Sequence, residues 1–336
     1  MSVQEGTHTL PDGVQLYTKT WKPHTPPRAI LAFVHGFSDH CNAYPELFSA
    51  LASSAIEVRA FDQRGCGRTV QHPQDRGNMG PTSQVLADIH SFLLAIPQHT
   101  TPLFLMGHSM GGGEALTYAL HPASPYHGQP DTPHRPIQLA GVLAYAPLIA
   151  LAPTTQPSQL TVRSGRLAAR ILPRWQRASP VDTTLLSRDA QAVAAFAADP
   201  LNHDLGTLES LAAMLDRGAW LQRVTAADYR AAGLVPLWFA HGDTDRVTSC
   251  AATRRLAGVL RGAGDVTFVS YGGAYHVLHA ELPEVKARFT RDLVGWVLAR
   301  APGLGEAGVV GGGQVCRRIG EVGNGIGDAR DGKAKL

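Results

Sequence analysis

A serine between two glycines, Gly107-His108-Ser109-Met110-Gly111, is the first arrangement in this chain with the makings of a nucleophile. The pattern alone is weak evidence, because glycine's average usage of about 7% produces it by chance in roughly one of several chains this long. Its flanks carry the weight. "PLFLMGHS" (Pro102 to Ser109) reads as a buried strand and Gly112 to Leu120 as a helix, which puts Ser109 at the turn between them. Such an elbow strains the serine backbone, and glycines on both sides let strand and helix approach without Cβ clashes. The hydroxyl is then lifted to the C-terminal edge of a sheet, where open α/β folds bind ligands. A glycine-rich phosphate loop or a plain turn is the competing reading, and the strand-turn-helix setting argues against it.

A neutral serine needs a base, and the base needs an orienting acid. In chain order after Ser109, "FAHGDTDRVTS" offers Asp243 and Asp245, and "YGGAYHVLHAEL" offers His276 and His279, each loop following a later strand-like run. Asp243 directly follows a His-Gly turn and suits a local Asx-type cap, so Asp245, farther along, is the preferred acid. His276, just beyond the glycines, is the preferred base, and His279 is left to line the pocket or cap the last helix. Acyl transfer also requires donors for an oxyanion. Position alone assigns these to the backbone N–H groups of Met110 and of Phe37 in "HGF".

The elements that must hold these loops alternate regularly. Ala29 to Gly36, Glu57 to Gly65, Pro102 to Ser109, Gln138 to Pro147, Val235 to Asp243 and Asp265 to Gly273 are short, continuously apolar runs that break at Gly, Pro or Asp. Strands of a parallel sheet covered on both faces read this way. Between them the spacing predicts helices over Tyr44 to Ser54, Thr82 to Ala95, Gly112 to Leu120, Ala251 to Arg261 and Leu282 to Ala299. The order implies a doubly wound α/β sheet. "THTLPDGVQLYTKTW" adds a hairpin signal at the N-terminal edge.

The alternation stops after Pro147 and resumes near Val235. The predicted organisation is therefore a core over 1–147 and 234–300, interrupted by an inserted helical lid over 148–233, with a disordered Gly-rich tail over 301–336. His121 to Pro136 reads as a polar, Pro-rich surface loop. Within the lid, "QLTVRSGRLAARILPRW" mixes Leu160, Val162, Leu167, Ile171 and Leu172 with Arg163, Arg166, Arg170 and Arg174. Helical spacing allows two uses of this apolar face: packing over the pocket, or lying on a membrane surface with the arginines beside it.

Composition bounds the rest. At 336 residues, 44% hydrophobic and 17% charged, the chain reads as globular, and its net charge of +3 does not point to nucleic acid as a partner. No window is apolar enough to span a bilayer, and Met1 to Pro11 lacks the pattern of a secretory signal. Cys41, Cys66, Cys250 and Cys316 match no ligand or disulfide spacing, so neither a metal nor an organic cofactor is expected, and the cytoplasm is the expected compartment. Cys41 and Cys250 fall near the predicted site, where each is either alkylation-sensitive or a small buried hydrophobe.

With these residues in place, the chain resembles the monoacylglycerol lipases of the serine α/β-hydrolases, particularly their fungal members. The resemblance runs from about Val14 to Arg300 and is carried by "HGFSDH", "FDQRGCGRT", "GHSMGGGEAL", "HGDTDRV" and, most specifically, "GAYHVLHAELPEV". The lid text "SPVDTTLLSRD" and "FAADPL" is also similar, which disfavours a peptidase or generic esterase. The resemblance implies an α/β-hydrolase fold with an inserted lid, a triad of Ser109, Asp245 and His276, and a lipid ester substrate. It further implies that Asp39, where relatives often carry Glu, and His279 bind the glycerol head. Phe196 replaces a tyrosine that some relatives use at the same polar end. The expected reaction is cleavage of monoacylglycerol to fatty acid and glycerol through an acyl-enzyme, with peripheral contact at membranes or lipid droplets. Alternatives are a broader carboxylesterase, a lysophospholipase or an acyltransferase with the same triad, or a non-catalytic binding protein.

Overall fold

The computed structural model describes residues 1–97, 101–127 and 137–301. Strands β1 (Ser2–Thr9), β2 (Gln15–Lys22), β3 (Ala29–Val34), β4 (Ile56–Phe61), β5 (Leu103–His108) and β6 (Leu139–Tyr145) precede the insertion. Their helices are α1 (Pro45–Ser53), α2 (Thr82–Leu94) and α3 (Met110–Leu120). The insertion holds α4 (Gln159–Ile171), β7 (Gln176–Ala178), α5 (Ala190–Ala198), β8 (Leu205–Thr207), α6 (Leu208–Leu221) and α7 (Ala226–Ala231). After it come β9 (Leu237–Gly242), α8 (Cys250–Arg261), β10 (Val266–Tyr271) and α9 (Pro283–Leu298).

Eight strands form one sheet in the order β1-β2-β4-β3-β5-β6-β9-β10. The β1–β2 hairpin is antiparallel, as its Pro-Asp-Gly turn predicts, and every pair from β4 to β10 is parallel. The central strands β3, β5 and β9 are buried at every position, which is why they read as unbroken apolar text rather than as alternation. Helices α1 and α9 pack one face around Phe33, Phe48, Trp238 and Phe289, while α2, α3 and α8 cover the other around Leu105, Val142 and Phe239. This is the α/β-hydrolase arrangement of a doubly wound sheet.

All six predicted strands occur where the sequence places them, ending two to four residues earlier than the apolar text for β3, β4, β6 and β10. The loops take over there. Asp62, directly after β4, accepts the Cys41 and Arg68 backbone N–H groups at 2.8 and 2.7 Å, which ends the strand by folding the chain back. Two short strands escape sequence reading: β7 and β8 pair antiparallel over three residues each, too short to leave a periodic signal. Residues 128–136, most of the Pro-rich loop, and the tail beyond 301 lie outside the described residues, as does Cys316.

Helix α6 differs from α4 and α5. One of its faces is buried through Ser210, Ala213, Arg217, Gly218 and Leu221. Arg217 reaches the buried Glu114 on α3 at 2.7 Å, and a Cβ at Gly218 would sit 2.8 Å from the Ile149 carbonyl. By contrast, α4 and α5 contain no fully buried residue.

Candidate active site

Ser109 stands between β5 and α3 with φ 53° and ψ −116°, a left-handed conformation that costs an L residue on the order of 1–3 kcal/mol and persists only where the surroundings enforce it. Its N–H donates to the Tyr145 carbonyl at 3.1 Å, and its own carbonyl accepts from Gly113 and Leu148 at 3.1 and 2.8 Å. The flanking glycines are steric requirements. A Cβ at Gly107 would collide with the Gly111 carbonyl, and one at Gly111 with the Val34 and His35 carbonyls.

The serine hydroxyl meets an imidazole. Ser109 Oγ lies 2.9 Å from His276 Nε2, and His276 Nδ1 lies 2.8 Å from Asp245 Oδ2. The preferred members of both residue pairs are thus brought together. Asp243 instead accepts the Gly273 N–H at 2.7 Å, holding the loop of His276 from outside the site. The Asx-type turn that sequence assigned to Asp243 belongs to Asp245, whose Oδ1 accepts from Val247 and Thr248 N–H at 2.7 and 3.0 Å. Burial opposes charge on Asp245, but His276 and His241 outweigh it and hold the carboxyl below its ordinary range. At neutral pH it is a carboxylate.

Phe37 and Met110 both line the cavity at Ser109. Met110 opens α3, so its N–H has no intrahelical acceptor, and a Cβ at Gly36, beside Phe37, would lie 3.3 Å from Ser109 Cβ. Two backbone donors beside a hydroxyl and an imidazole are what acyl transfer requires.

Asp39 and His279 lie at the floor of the same cavity, both buried. Asp39 already has internal partners: Oδ1 accepts the His40 N–H at 2.8 Å, and Oδ2 accepts the Tyr44 hydroxyl. Tyr44 in turn lies 3.0 Å from His108 Nδ1, and His279 Nδ1 lies 2.9 Å from the Tyr145 hydroxyl. Burial would raise the Asp39 carboxyl, but the nearby His108 and His35 rings, together with the Tyr44 hydroxyl, outweigh it and bring it down to about 2. Burial pushes His108 down to about 4 and His279 well below its ordinary value, so both rings are neutral at pH 7. Sequence reasoning missed Tyr44, His108 and Tyr145, which carry no signal apart from their neighbours in space. His241, which lies 3.0 Å from Asp245 Oδ2, was visible only as part of "FAHGD".

The cavity above this floor has a volume of about 630 Å³ and is lined mostly by apolar groups, including Leu148, Val162, Leu185, Leu211 and Leu215. Its upper walls come from α4, α5 and α6. Phe196 contributes to the α5 wall without a hydroxyl. Cys41 is fully buried in the core with its thiol pushed up by burial, and Cys250 is half-buried at the start of α8; neither lines the cavity, which favours the small-hydrophobe reading.

Comparison with known proteins identifies the family. The family model described as serine aminopeptidase S33 (Hydrolase_4) matches residues 25–283. A mouse monoglyceride lipase is 30% identical over 88% of this chain and 90% of its own length. The chain belongs to the monoglyceride lipase group of the α/β-hydrolases. A Schizosaccharomyces pombe relative that carries the same name provisionally is 34% identical over 84% of this chain and 71% of its own. In structure, the chain is similar to a soluble variant of Saccharomyces cerevisiae monoglyceride lipase, with a TM-score of 0.79 at 22% identity over 90% of this chain and 97% of that one.

Proposed function

We propose that the chain is a monoacylglycerol lipase that works through an acyl-enzyme on Ser109. The observation that carries this reading is the Asp245–His276–Ser109 chain of contacts at the floor of an apolar cavity large enough for an acyl tail. His276 Nε2 takes the Ser109 proton as Oγ attacks the ester carbonyl, and Asp245 holds the tautomer with Nδ1 protonated and stabilises the imidazolium that forms. The N–H groups of Phe37 and Met110 receive the oxyanion. His276 then protonates departing glycerol and activates water to release the fatty acid. Of the polar floor, neutral His279 and the remaining lone pairs of Asp39 face the glycerol. Asp39 is one methylene shorter than the Glu common in relatives and is engaged by Tyr44, so it shapes the head-group end as part of a network.

The membrane reading of the lid rests on which way α4 faces. Thr161, Val162 and Gly165 line the cavity, whereas Leu160, Leu167 and Ile171 are 77%, 60% and 72% exposed, with Trp175 63% exposed just beyond. Arg163, Arg170 and Arg174 are exposed on the same segment. The large apolar residues thus point away from the pocket, and cations beside them suit an anionic lipid surface. Among the described residues, no helix is long and apolar enough to cross a membrane, so the contact would be peripheral.

The experiment is a substrate panel of monoacylglycerols, lysophospholipids and short soluble esters, run on the wild type and Asp39→Ala. A monoacylglycerol preference that narrows in Asp39→Ala is expected. Equal turnover of lysophospholipid in the wild type would replace this reading with a broader esterase, and failure of a fluorophosphonate probe to label Ser109 would reject the mechanism.

A further inference from the structure

The residues on either side of His276 are both tied to the insertion. Val277 N–H donates to the Leu186 carbonyl at 2.9 Å. Tyr275 N–H donates to Glu281 Oε1 at 2.9 Å, and the Glu281 side chain is fully buried. That carboxylate also accepts the Leu282 N–H at 2.9 Å, which fixes the start of α9. Its charge is matched from the insertion: Arg188 Nε and Nη2 each lie 3.0 Å from Oε2. Ser187 Oγ adds a bond to the Ala280 carbonyl at 2.8 Å. Residues 186–188 therefore form a strap along the loop of His276, and the strap runs directly into α5, which walls the cavity through Ala192, Ala195 and Phe196.

We infer that Arg188 and Glu281 are positioning residues that hold His276 against Ser109 and couple its alignment to the seating of α5 over the cavity. The inference rests on His276 being the base. Physically, a buried carboxylate without its guanidinium is costly, and the cheapest relief is to let the loop open to water. Opening moves Tyr275, and His276 moves with it. Misplacement of a catalytic group by about 1 Å costs on the order of a hundredfold in rate. Arg188 is partly exposed, so its loss acts on this loop more than on the core.

The test compares wild type, Arg188→Ala, Arg188→Lys and Glu281→Gln, each checked by thermal melting. The readouts are the rate of fluorophosphonate labelling at Ser109 and kcat and KM on p-nitrophenyl acetate and on a long-chain monoacylglycerol. Arg188→Ala is expected to lower labelling and kcat about tenfold or more on both esters, with KM for the short ester within about twofold; Arg188→Lys should recover most of the loss. A folded Arg188→Ala with wild-type labelling and kcat overturns the inference, as does a loss confined to the long-chain ester, which would make Arg188 a substrate contact. Should Arg188→Ala not fold, the same criteria apply to Glu281→Gln, which keeps the side chain's shape and removes its charge. A wild type unlabelled at Ser109, or a His276→Ala that keeps full rate, defeats the triad reading instead. A labelled wild type matched by Arg188→Ala defeats only the strap.

Discussion

Asp245 Oδ2 lies 2.8 Å from His276 Nδ1, and the same oxygen lies 3.0 Å from His241 Nε2. One carboxylate oxygen therefore faces two imidazoles. Asp245→Asn keeps the shape but presents an amide to His276, favouring the wrong tautomer, and kcat should fall about 10⁴-fold, the scale known for this change in a Ser-His-Asp triad. His241→Gln, which reaches His276 only through Asp245 and the Thr248 hydroxyl, should cost far less. Steady-state kinetics on a soluble ester checks both, and equal losses would mean that His241 takes a direct part.

The elbow makes a steric prediction. Gly107→Ala and Gly111→Ala place a methyl group against carbonyl oxygens that cannot move without distorting β3 or α3. Each should destabilise the fold by about 3 kcal/mol or more and abolish labelling of Ser109. A variant that melts like the wild type would show that the elbow relaxes more easily than its packing implies.

Acid should destabilise the protein partly through His108. Burial lowers its pKa to about 4, against 6.5 when free, so the native state binds the proton less tightly than the unfolded chain. Its stabilising contribution is complete above about 6.5 and is lost as pH falls towards 4. His108→Asn should therefore flatten the Tm profile over that interval, and an unchanged slope would assign the acid limb elsewhere.

Glu114 predicts the opposite slope. Burial raises its carboxyl to about 7 despite Arg217, so the native state holds the proton more tightly and stability declines as pH rises from the free value of 4.5 through 7. Glu114→Ala leaves Arg217 buried without its partner and should cost about 3–5 kcal/mol, whereas the double change Glu114→Leu with Arg217→Met should recover most of it. Chemical denaturation at pH 7 measures both; a double variant no more stable than the single would contradict the pair's role.

At the lipid surface, replacing Leu167 and Ile171 together by Ser should reduce binding to anionic liposomes while leaving hydrolysis of a short soluble ester within about twofold, because both side chains point away from the cavity. A sedimentation assay beside a soluble-ester assay separates the two, and parallel losses would mean that α4 supports the pocket instead.

What was legible in the sequence follows from how local the cause is. The buried strands, the glycine-flanked Ser109 and the order Ser, Asp, His depend on short stretches whose chemistry is decided by neighbours in the chain. That Asp245 rather than Asp243 lies against His276 was also readable, although the Asx turn used to decide it sits on the other aspartate. Tyr44, Tyr145 and His108 gain meaning only when β3, β5 and β6 lie side by side. The bond between Arg188 and Glu281 spans 93 positions. Nothing local to either residue announces it.

Helix α6 sets a limit on modularity. It closes the cavity with Leu208, Leu211 and Leu215 on one side and is bonded into the nucleophile's own helix through Arg217 on the other. The insertion is therefore not an exchangeable cassette from end to end. A graft meant to change acyl preference has to spare residues 186–188, which tie down the loop of His276, and must also end before α6, because a cut at 233 would remove a support of Ser109 along with the wall of its pocket.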